Sequence, residues 1–394
     1  MTNHERFFSA DARNFRPSAI RAFAKLINDP NIISFAGGVP SPETFPAEAI
    51  ADIAARVVRE RRAIALQYGP TRGLPRLCDF IAGICRERGL ARTSGDDVLT
   101  TTGSQQALDL IAHTLLDPGD VVLVELPTYI GGSSSFFGRS ATLAGVAQDE
   151  EGIVPASLEE VAARTKPKLL YTIPNFQNPS GRLMSQARRA EVLRIAEAHD
   201  FLVIEDDPYG ELVYVDGADT TAMKSRDDGD RVLYLGSFSK VLAPGLRCGW
   251  IVAAKPLLER LEIAKQAADL CSAMLDQSVI DEFCAAGLLA PQIERVREFY
   301  RGKRGVLLEE LARHFAGRAD WTSADGGLFT FLTLHDAAID TAARVADAVA
   351  AGVAYIPGGP FFVDGSGRNT MRLTFAKEPD ERIREGVGRL AGVL

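Results

Sequence analysis

The sequence predicts an α/β protein: a large domain built on a seven-stranded, mostly parallel sheet, with a smaller α+β domain appended. Three observations carry this. Short β-rich runs alternate with helix-period segments from about Val98 to Ala253, the pattern of strands joined by helical crossovers. Several of those runs are apolar at successive positions, as strands covered on both faces must be. From about Ala286 the texture changes to one long amphipathic segment followed by short mixed elements, which suits a second unit. With 394 residues and 46% apolar content, the chain can bury a large core.

Residues 1–45 are expected to form a segment that joins the smaller domain. Within it, Pro17–Asn28 places Ile20, Phe23, Leu26 and Ile27 on one helical face, and the turn-rich Phe35–Pro42 follows. The large domain is expected over residues 46–286. Its predicted strands are Val98–Thr101, Val121–Glu125, Ala141–Val146, Leu169–Ile173, Leu202–Glu205, Val232–Gly236 and Gly249–Ala253. Helices are predicted over Ser104–Leu116 and Ser185–His199, the second opened by Ser185 as N-cap with Val192, Ile195 and Ala196 on one face. Residues 287–394 are expected to form the small domain. There Pro291–Phe315 has Ile293, Val296, Val306, Leu307 and Leu311 at roughly helical spacing and is expected to bridge the two domains. Leu328–Leu334, a helix over Ala337–Ala351, Val353–Pro357, Met371–Ala376 and a closing helix complete the prediction.

A net charge of -8 and a pI near 5.4, with no run of Lys and Arg interleaved with aromatics, argue against a nucleic-acid partner. The five cysteines, Cys78, Cys85, Cys248, Cys271 and Cys284, show no C-x-x-C spacing, so neither a metal site nor a disulfide framework is expected and a reduced cytoplasm is the expected home. No stretch reaches the roughly 18 apolar residues of a spanning helix, and the N-terminus lacks the apolar core of a secretion signal, so no membrane association is expected.

The run Ser237-Phe238-Ser239-Lys240 follows a strand-like segment, and Arg247 stands seven positions on. A lysine between hydroxyls can form an imine with an aldehyde, while Ser237, Ser239 and Arg247 supply donors and charge for a phosphate beside it. Pyridoxal phosphate carries both groups; an exposed lysine in a plain turn is the alternative. The other strand ends supply further parts. Strand Val98–Thr101 runs into Thr102-Gly103-Ser104-Gln105-Gln106 and a helix, where free N–H groups and the helix dipole favour an anion. Strand Leu202–Glu205 ends in Asp206-Asp207-Pro208-Tyr209, which offers a carboxylate for a pyridine nitrogen and a phenol for a ring hydroxyl. Asn178 offers an amide toward the same edge, its Asn-Pro bond expected trans on base rates although a cis bond would turn that amide inward, and Tyr129 offers a ring that could stack on a planar group. Each fragment alone also fits an ordinary strand-ending turn. Five strand ends along one edge carry together the parts for one phosphorylated pyridine aldehyde.

With these residues the chain resembles the fold-type I pyridoxal-phosphate aminotransferases of class I/II, and within them the 2-aminoadipate and kynurenine aminotransferase subgroup. The likeness runs from about Pro17 to Leu394 through Ser34–Gly38, Leu66-Gln67-Tyr68-Gly69, Thr102–Leu110, Gln177–Gly181, the Ser-Phe-Ser-Lys block, Tyr355–Phe362 and Met371-Arg372-Leu373. The resemblance implies Lys240 as the lysine that carries the cofactor aldehyde and Asp206 as partner of the pyridine nitrogen. It implies Asn178 and Tyr209 on the ring oxygen and Tyr129 on the ring face. It implies Gly103, Ser104, Gln105, Ser237, Ser239 and Arg247 around the phosphate. Tyr68 is implied to reach that phosphate from the neighbouring subunit of a homodimer with shared sites. Arg372 is implied to clamp the substrate carboxylate in a bidentate fork, with Gly38 beside it. Ser18 and Arg21, at the start of the N-terminal helix, fall where the aminoadipate group reads a distal carboxylate; Arg21 also fits a solvated helix face equally well. Ser180, where relatives usually have threonine, and Thr44, where they often have leucine, are the departures.

The expected reaction is ping-pong transamination between an L-amino acid (2-aminoadipate, aromatic or branched-chain) and 2-oxoglutarate or glutamate. A β-lyase, racemase or decarboxylase would keep Lys240, Asp206 and Arg372 and remains the alternative. An amino-acid-sensing regulator is disfavoured, because the sixteen residues before Pro17 are too few for a helix-turn-helix and the charge repels DNA.

Overall fold

The computed structural model describes residues 4–15 and 29–394; the helix predicted over Pro17–Asn28 lies outside the described residues. In chain order the strands are β1 (Ile33–Ser34), β2 (Val98–Thr101), β3 (Val121–Leu126), β4 (Thr142–Asp149), β5 (Gly152–Ile153), β6 (Leu169–Thr172) and β7 (Leu202–Asp207). They continue with β8 (Val232–Ser237), β9 (Gly249–Val252), β10 (Ala319–Trp321), β11 (Phe329–Leu334), β12 (Val353–Ala354), β13 (Ile356–Pro357) and β14 (Thr370–Thr374).

The seven expected runs all form strands of one sheet, with the two-residue β5 as an eighth, too short to leave a periodic signal, in the order β2-β9-β8-β7-β6-β3-β4-β5. Pairing is parallel from β8 through β7, β6 and β3 to β4. Only β9, which is antiparallel to both β8 and β2, and β5 run the other way. Because β2 and β8 are both antiparallel to β9, the C-terminal ends of β2, β3, β6, β7 and β8 share one edge. Helices cover both faces, so Leu170, Val203, Ile204, Leu233 and Leu235 are all fully buried on consecutive strands; each such side chain stabilises the sheet by about 1.5–3 kcal/mol.

The crossover helix Gln186–Ala198 is capped as its sequence predicts: the Ser185 hydroxyl accepts the Arg188 N–H, and Val192, Ile195 and Ala196 face the core. The long amphipathic segment is a 27-residue helix, Leu289–Phe315, with Val296, Val306, Leu307 and Leu311 buried. Its Gln292 donates to the carbonyls of Thr44 (2.8 Å) and Val241 (3.1 Å), and its Lys303 to that of Glu378 (2.8 Å), so one helix fastens the N-terminal segment, the loop after Lys240 and the closing helix region.

The smaller sheet is antiparallel, β10-β11-β14-β13, and β1 pairs in parallel with β12 in a separate two-stranded ribbon. Here the expected helix Ala337–Ala351 is shortened to Val345–Ala350. Thr341 is the reason. Its N–H donates to Arg368 O (2.9 Å) and its hydroxyl to Thr370 O (2.7 Å), while its carbonyl accepts the Tyr355 hydroxyl (2.6 Å), so tertiary partners take the groups a helix would use. The expected run Val353–Pro357 is likewise divided into β12 and β13, which join different sheets.

Candidate active site

The shared strand edge opens into a cavity of about 390 Å3 lined by Gly38, Ser104, Gln105, Tyr129, Asn178, Asp206, Tyr209, Ser237, Ser239, Lys240, Arg247 and Arg372, all of which the sequence had singled out. Gly103 stands immediately behind this lining. Tyr68 lies apart on the surface, 78% exposed. Ser18 and Arg21 lie outside the described residues.

One end of the cavity is built for an anion. Helix Ser104–Leu115 begins at Gly103, which has φ +75° and provides no side-chain cap, so the first turn keeps its N–H groups for a ligand. A Cβ on Gly103 would lie 2.4 Å from Arg247 Nη2, so only glycine lets the guanidinium approach this turn. Arg247 itself adopts φ +44°, rare for a large side chain, and is held by Nη2 donating to Thr102 O (3.1 Å) and Nη1 to Pro244 O (3.2 Å). Ser237 and Ser239 meet hydroxyl to hydroxyl at 2.8 Å beside it. Gln105 is tied across to Ser135 Oγ (2.8 Å) and Gly131 O (3.1 Å), which fixes its place in the wall.

At the centre lies Lys240, its amine donating to Gly38 O at 3.2 Å. Burial, with the positive charges of Arg372 and Arg247, pulls this amine down to about 8, against the opposing pull of Asp206. Asp206 is buried at the end of β7. One carboxylate oxygen, Oδ2, accepts the Tyr171 hydroxyl at 2.9 Å, and Oδ1 has no partner among the described residues. Burial pushes Asp206 up to about 7. An orphaned acceptor in a buried carboxylate costs stability unless something bound supplies a donor.

At the far end Arg372, on β14, is 1% exposed. Its guanidinium sits 4.3 Å from the Phe329 ring centroid and 5.3 Å from that of Phe361. Nη1 donates to Asn178 Oδ1 (3.0 Å) and Nη2 to Ala36 O (2.9 Å), while Nε is unpartnered among the described residues; burial pulls its pKa down to about 10. A Cβ on Gly38 would come within 3.7 Å of this guanidinium, so the glycine keeps its face open. Tyr209 is buried with its ring edge-on to Phe329, and burial raises its pKa, so its phenol is a hydrogen-bond donor. The Asn178-Pro179 bond is cis, not the trans bond expected, as is Leu126-Pro127.

Several supporting residues escaped the sequence reading. In sequence Tyr171 is one more position of the strand run Leu169–Ile173. Asp207, next to Asp206, is gripped on the opposite side of the strand by Arg88 (3.0 Å), the Tyr234 hydroxyl (3.0 Å), Asn175 (2.9 Å) and Gly210 N (3.0 Å). Buried Glu125 accepts Thr172 Oγ1 (2.6 Å) and Gln177 Nε2 (2.9 Å), tying the Tyr129 loop to the Asn178 loop, and burial pushes its pKa up to about 7. Buried Lys265 pairs with Asp269 (2.7 Å), which accepts Gln106 Nε2 (2.6 Å), and Gln106 in turn accepts Thr102 N (2.7 Å), bracing the anion turn from behind. Most of these partners are far apart in the chain, the exceptions being Lys265 with Asp269, Asp207 with Gly210 and Gln106 with Thr102, so periodicity carries no trace of them.

The arrangement fits one ligand type: an anion at the Gly103 turn, an electrophilic carbon at Lys240 and a protonated nitrogen at the vacant Asp206 acceptor. Pyridoxal 5'-phosphate presents all three. A family model described as Aminotransferase class I and II matches residues 30–390. The Aromatic-amino-acid aminotransferase 1 of Thermococcus litoralis is 42% identical over 100% of this chain and 95% of its own length. The crystal structure of Pyrococcus horikoshii kynurenine aminotransferase, in complex with PMP and with KYN and KYA as substrate and product, superposes with a TM-score of 0.94 at 39% identity, covering 99% of this chain and 97% of that one. The α-aminoadipate aminotransferase of Thermus thermophilus, complexed with N-(5'-phosphopyridoxyl)-L-leucine, gives a TM-score of 0.91 at 39% identity, covering 100% and 98%.

Proposed function

The chain belongs to the class I and II aminotransferases, and from that premise we propose that it moves the amino group of an L-amino acid (2-aminoadipate, aromatic or branched-chain) to 2-oxoglutarate by a ping-pong route through this cavity. It is a transaminase that uses pyridoxal 5'-phosphate. When bound, that cofactor supplies an aldehyde that takes up nitrogen and a ring that withdraws electrons from the substrate Cα.

The protein's own residues do the rest. Lys240 would be the covalent anchor and, once free, the base that lifts the proton from the substrate Cα and delivers it across the nitrogen to the carbon that had carried the aldehyde. An amine pulled down to about 8 is suited to both duties near neutral pH. Asp206 would offer Oδ1, which has no partner among the described residues, to the ring nitrogen and so favour a proton there. Asn178, whose Oδ1 is taken by Arg372, turns its amide hydrogens toward the ring oxygen with Tyr209. Arg372, stacked between two phenylalanines, receives the α-carboxylate and holds the Cα within reach of Lys240. Gly103, Ser104, Gln105, Ser237, Ser239 and Arg247 grip the phosphate. The observation that carries the reading is the meeting of a pKa-lowered lysine, an orphaned buried carboxylate oxygen and a buried arginine in one cavity.

The test is a panel of L-amino acids with 2-oxoglutarate as acceptor. Stoichiometric keto acid and glutamate are expected, with 2-aminoadipate, aromatic and branched-chain donors preferred; pyruvate and ammonia without glutamate would identify a lyase instead. In the same panel Arg21→Ala is expected to lower kcat/KM for acidic donors by about tenfold and to spare apolar ones; an equal loss for both removes Arg21 from the specificity pocket. The pH dependence of cofactor loading is a separate check. The neutral amine is the nucleophile, so the rate at which apoprotein becomes borohydride-trappable should rise with pH through a midpoint near 8 and flatten above it. A midpoint near the ordinary lysine value would contradict the environment described for Lys240.

The reading includes a homodimer in which Tyr68 completes the partner's phosphate site. Tyr68 at 78% exposure, with Leu66 at 62% and Ile64 at 43%, places an uncovered apolar run on one short stretch, which supports a second copy there. Sedimentation as a single chain at micromolar concentration would refute it. A cytoplasmic location also belongs to this reading, supported by five free cysteines and testable by cell fractionation.

A further inference from the structure

Tyr171 takes no part in the proposed chemistry, yet among the described residues it makes the one hydrogen bond that Asp206 has on its Oδ2 side. Its place follows from the sheet: Tyr171 on β6 stands opposite Ile204 on β7, so Asp206, two residues on, is its diagonal neighbour on the same face, within reach of an aromatic side chain. The phenol is fully buried and its ring is pinned. Phe136 meets it edge-on at 5.6 Å, and the backbone of helix Ile130–Phe137 lies so close that a Cβ on Gly132 would fall 2.6 Å from the ring. The hydroxyl therefore has a fixed address, Oδ2 at 2.9 Å.

A carboxylate presents two equivalent oxygens and can turn about its last bond. With Oδ2 consumed by a pinned donor, only Oδ1 is left to face the cavity, and it is the oxygen without a partner among the described residues. We infer that Tyr171 is a positioning residue for the cofactor: by donating to Oδ2 of Asp206 it fixes which oxygen meets the ring nitrogen and keeps negative charge available there. Burial and the neighbouring Asp206 hold the Tyr171 phenol protonated, so it has a proton to donate to Oδ2. Burial, and after it Asp207, opposes the charge on Asp206, while the hydrogen bond from the Tyr171 phenol, and after it Lys240, favours it. This inference rests on the reading that Asp206 receives the pyridine nitrogen.

The experiment measures equilibrium binding of pyridoxal 5'-phosphate and of its analogue with C–H in place of the ring nitrogen, to wild type and to Tyr171→Phe. Wild type should prefer the true cofactor. Tyr171→Phe keeps the ring and loses the donor, and should weaken the true cofactor about tenfold while changing analogue affinity by less than about twofold, because a hydrogen bond to a charged group is lost only where that group is used. An equal loss for both ligands would make Tyr171 a packing residue only, and no loss for either would leave it without a role; both overturn the inference. If wild type itself does not distinguish the two ligands, the Asp206 reading falls first and the inference falls with it. Should Tyr171→Phe not fold, Gly132→Ala crowds the same ring and displaces the hydroxyl without altering it, and the same selective loss is required.

Discussion

Lys240→Ala is expected to lower the rate of transamination by about three orders of magnitude or more while leaving the fold and the cofactor's phosphate grip in place. Two functions disappear together in this variant. The covalent anchor goes, and so does the proton carrier, whose removal alone costs about 10²–10⁴-fold for a positioned general base. Binding persists because the Gly103 turn and Arg247 hold their places through their own hydrogen bonds, and the lysine amine is hydrogen-bonded to Gly38 O and not to them or to Asp206, which it touches only through its charge. The measurement is a single-turnover assay with a preferred donor, alongside borohydride treatment of wild type and variant. Wild type should be trapped on Lys240 and the variant not at all. A variant within tenfold of wild type would remove Lys240 from the chemistry.

Asp206→Asn is expected to cost about 10²–10³-fold in the same assay, because a protonated ring nitrogen would lose the anion that stabilises it in a buried site, a loss of about 3–4 kcal/mol. The apoprotein should respond in the opposite sense. With no cofactor bound, the wild-type carboxylate is buried with one oxygen unpartnered among the described residues, and burial pushes it up to about 7, so at pH 8 the folded apoprotein carries an ill-solvated charge. Replacing that charge by a neutral amide should leave the apo Tm at pH 8 equal to or above wild type, while the stabilisation gained on adding cofactor shrinks. A large fall in the apo Tm would mean that Asp206 has a structural duty, and equal activity would mean that it does not meet the ring.

Much of this was legible in the sequence for a local reason. Strand, turn and helix signals sit within a few residues of one another, and a parallel sheet places every strand's C-terminal end on the same edge, so Gly103, Tyr129, Asn178, Asp206 and Lys240 could be brought together without knowing a single contact. The unread parts depend on distant partners. Tyr171 reads as one more apolar position in Leu169–Thr172 until β7 is laid beside it. The helix expected from Ala337 fails because Thr341 is held by Arg368 and Thr370, 27 and 29 residues on. Lys265, fully buried, gives no sign in its own amphipathic helix that it braces a turn 159 residues away.

The cavity is assembled from two frameworks with different duties. The grips proposed for the cofactor within one chain hang from the edge of the wide sheet, whereas Arg372 belongs to the small antiparallel sheet and Gly38 to the segment following β1, with the Arg372–Asn178 and Lys240–Gly38 hydrogen bonds between them. Preference among donors can therefore drift through changes in residues 35–45 and 356–376 without disturbing vitamin affinity, which makes selectivity an evolvable module on a constant engine. Exchanging those stretches between enzymes of differing taste should transplant donor choice while the dissociation constant of pyridoxal phosphate stays put; if both move together, the two frameworks are not separable.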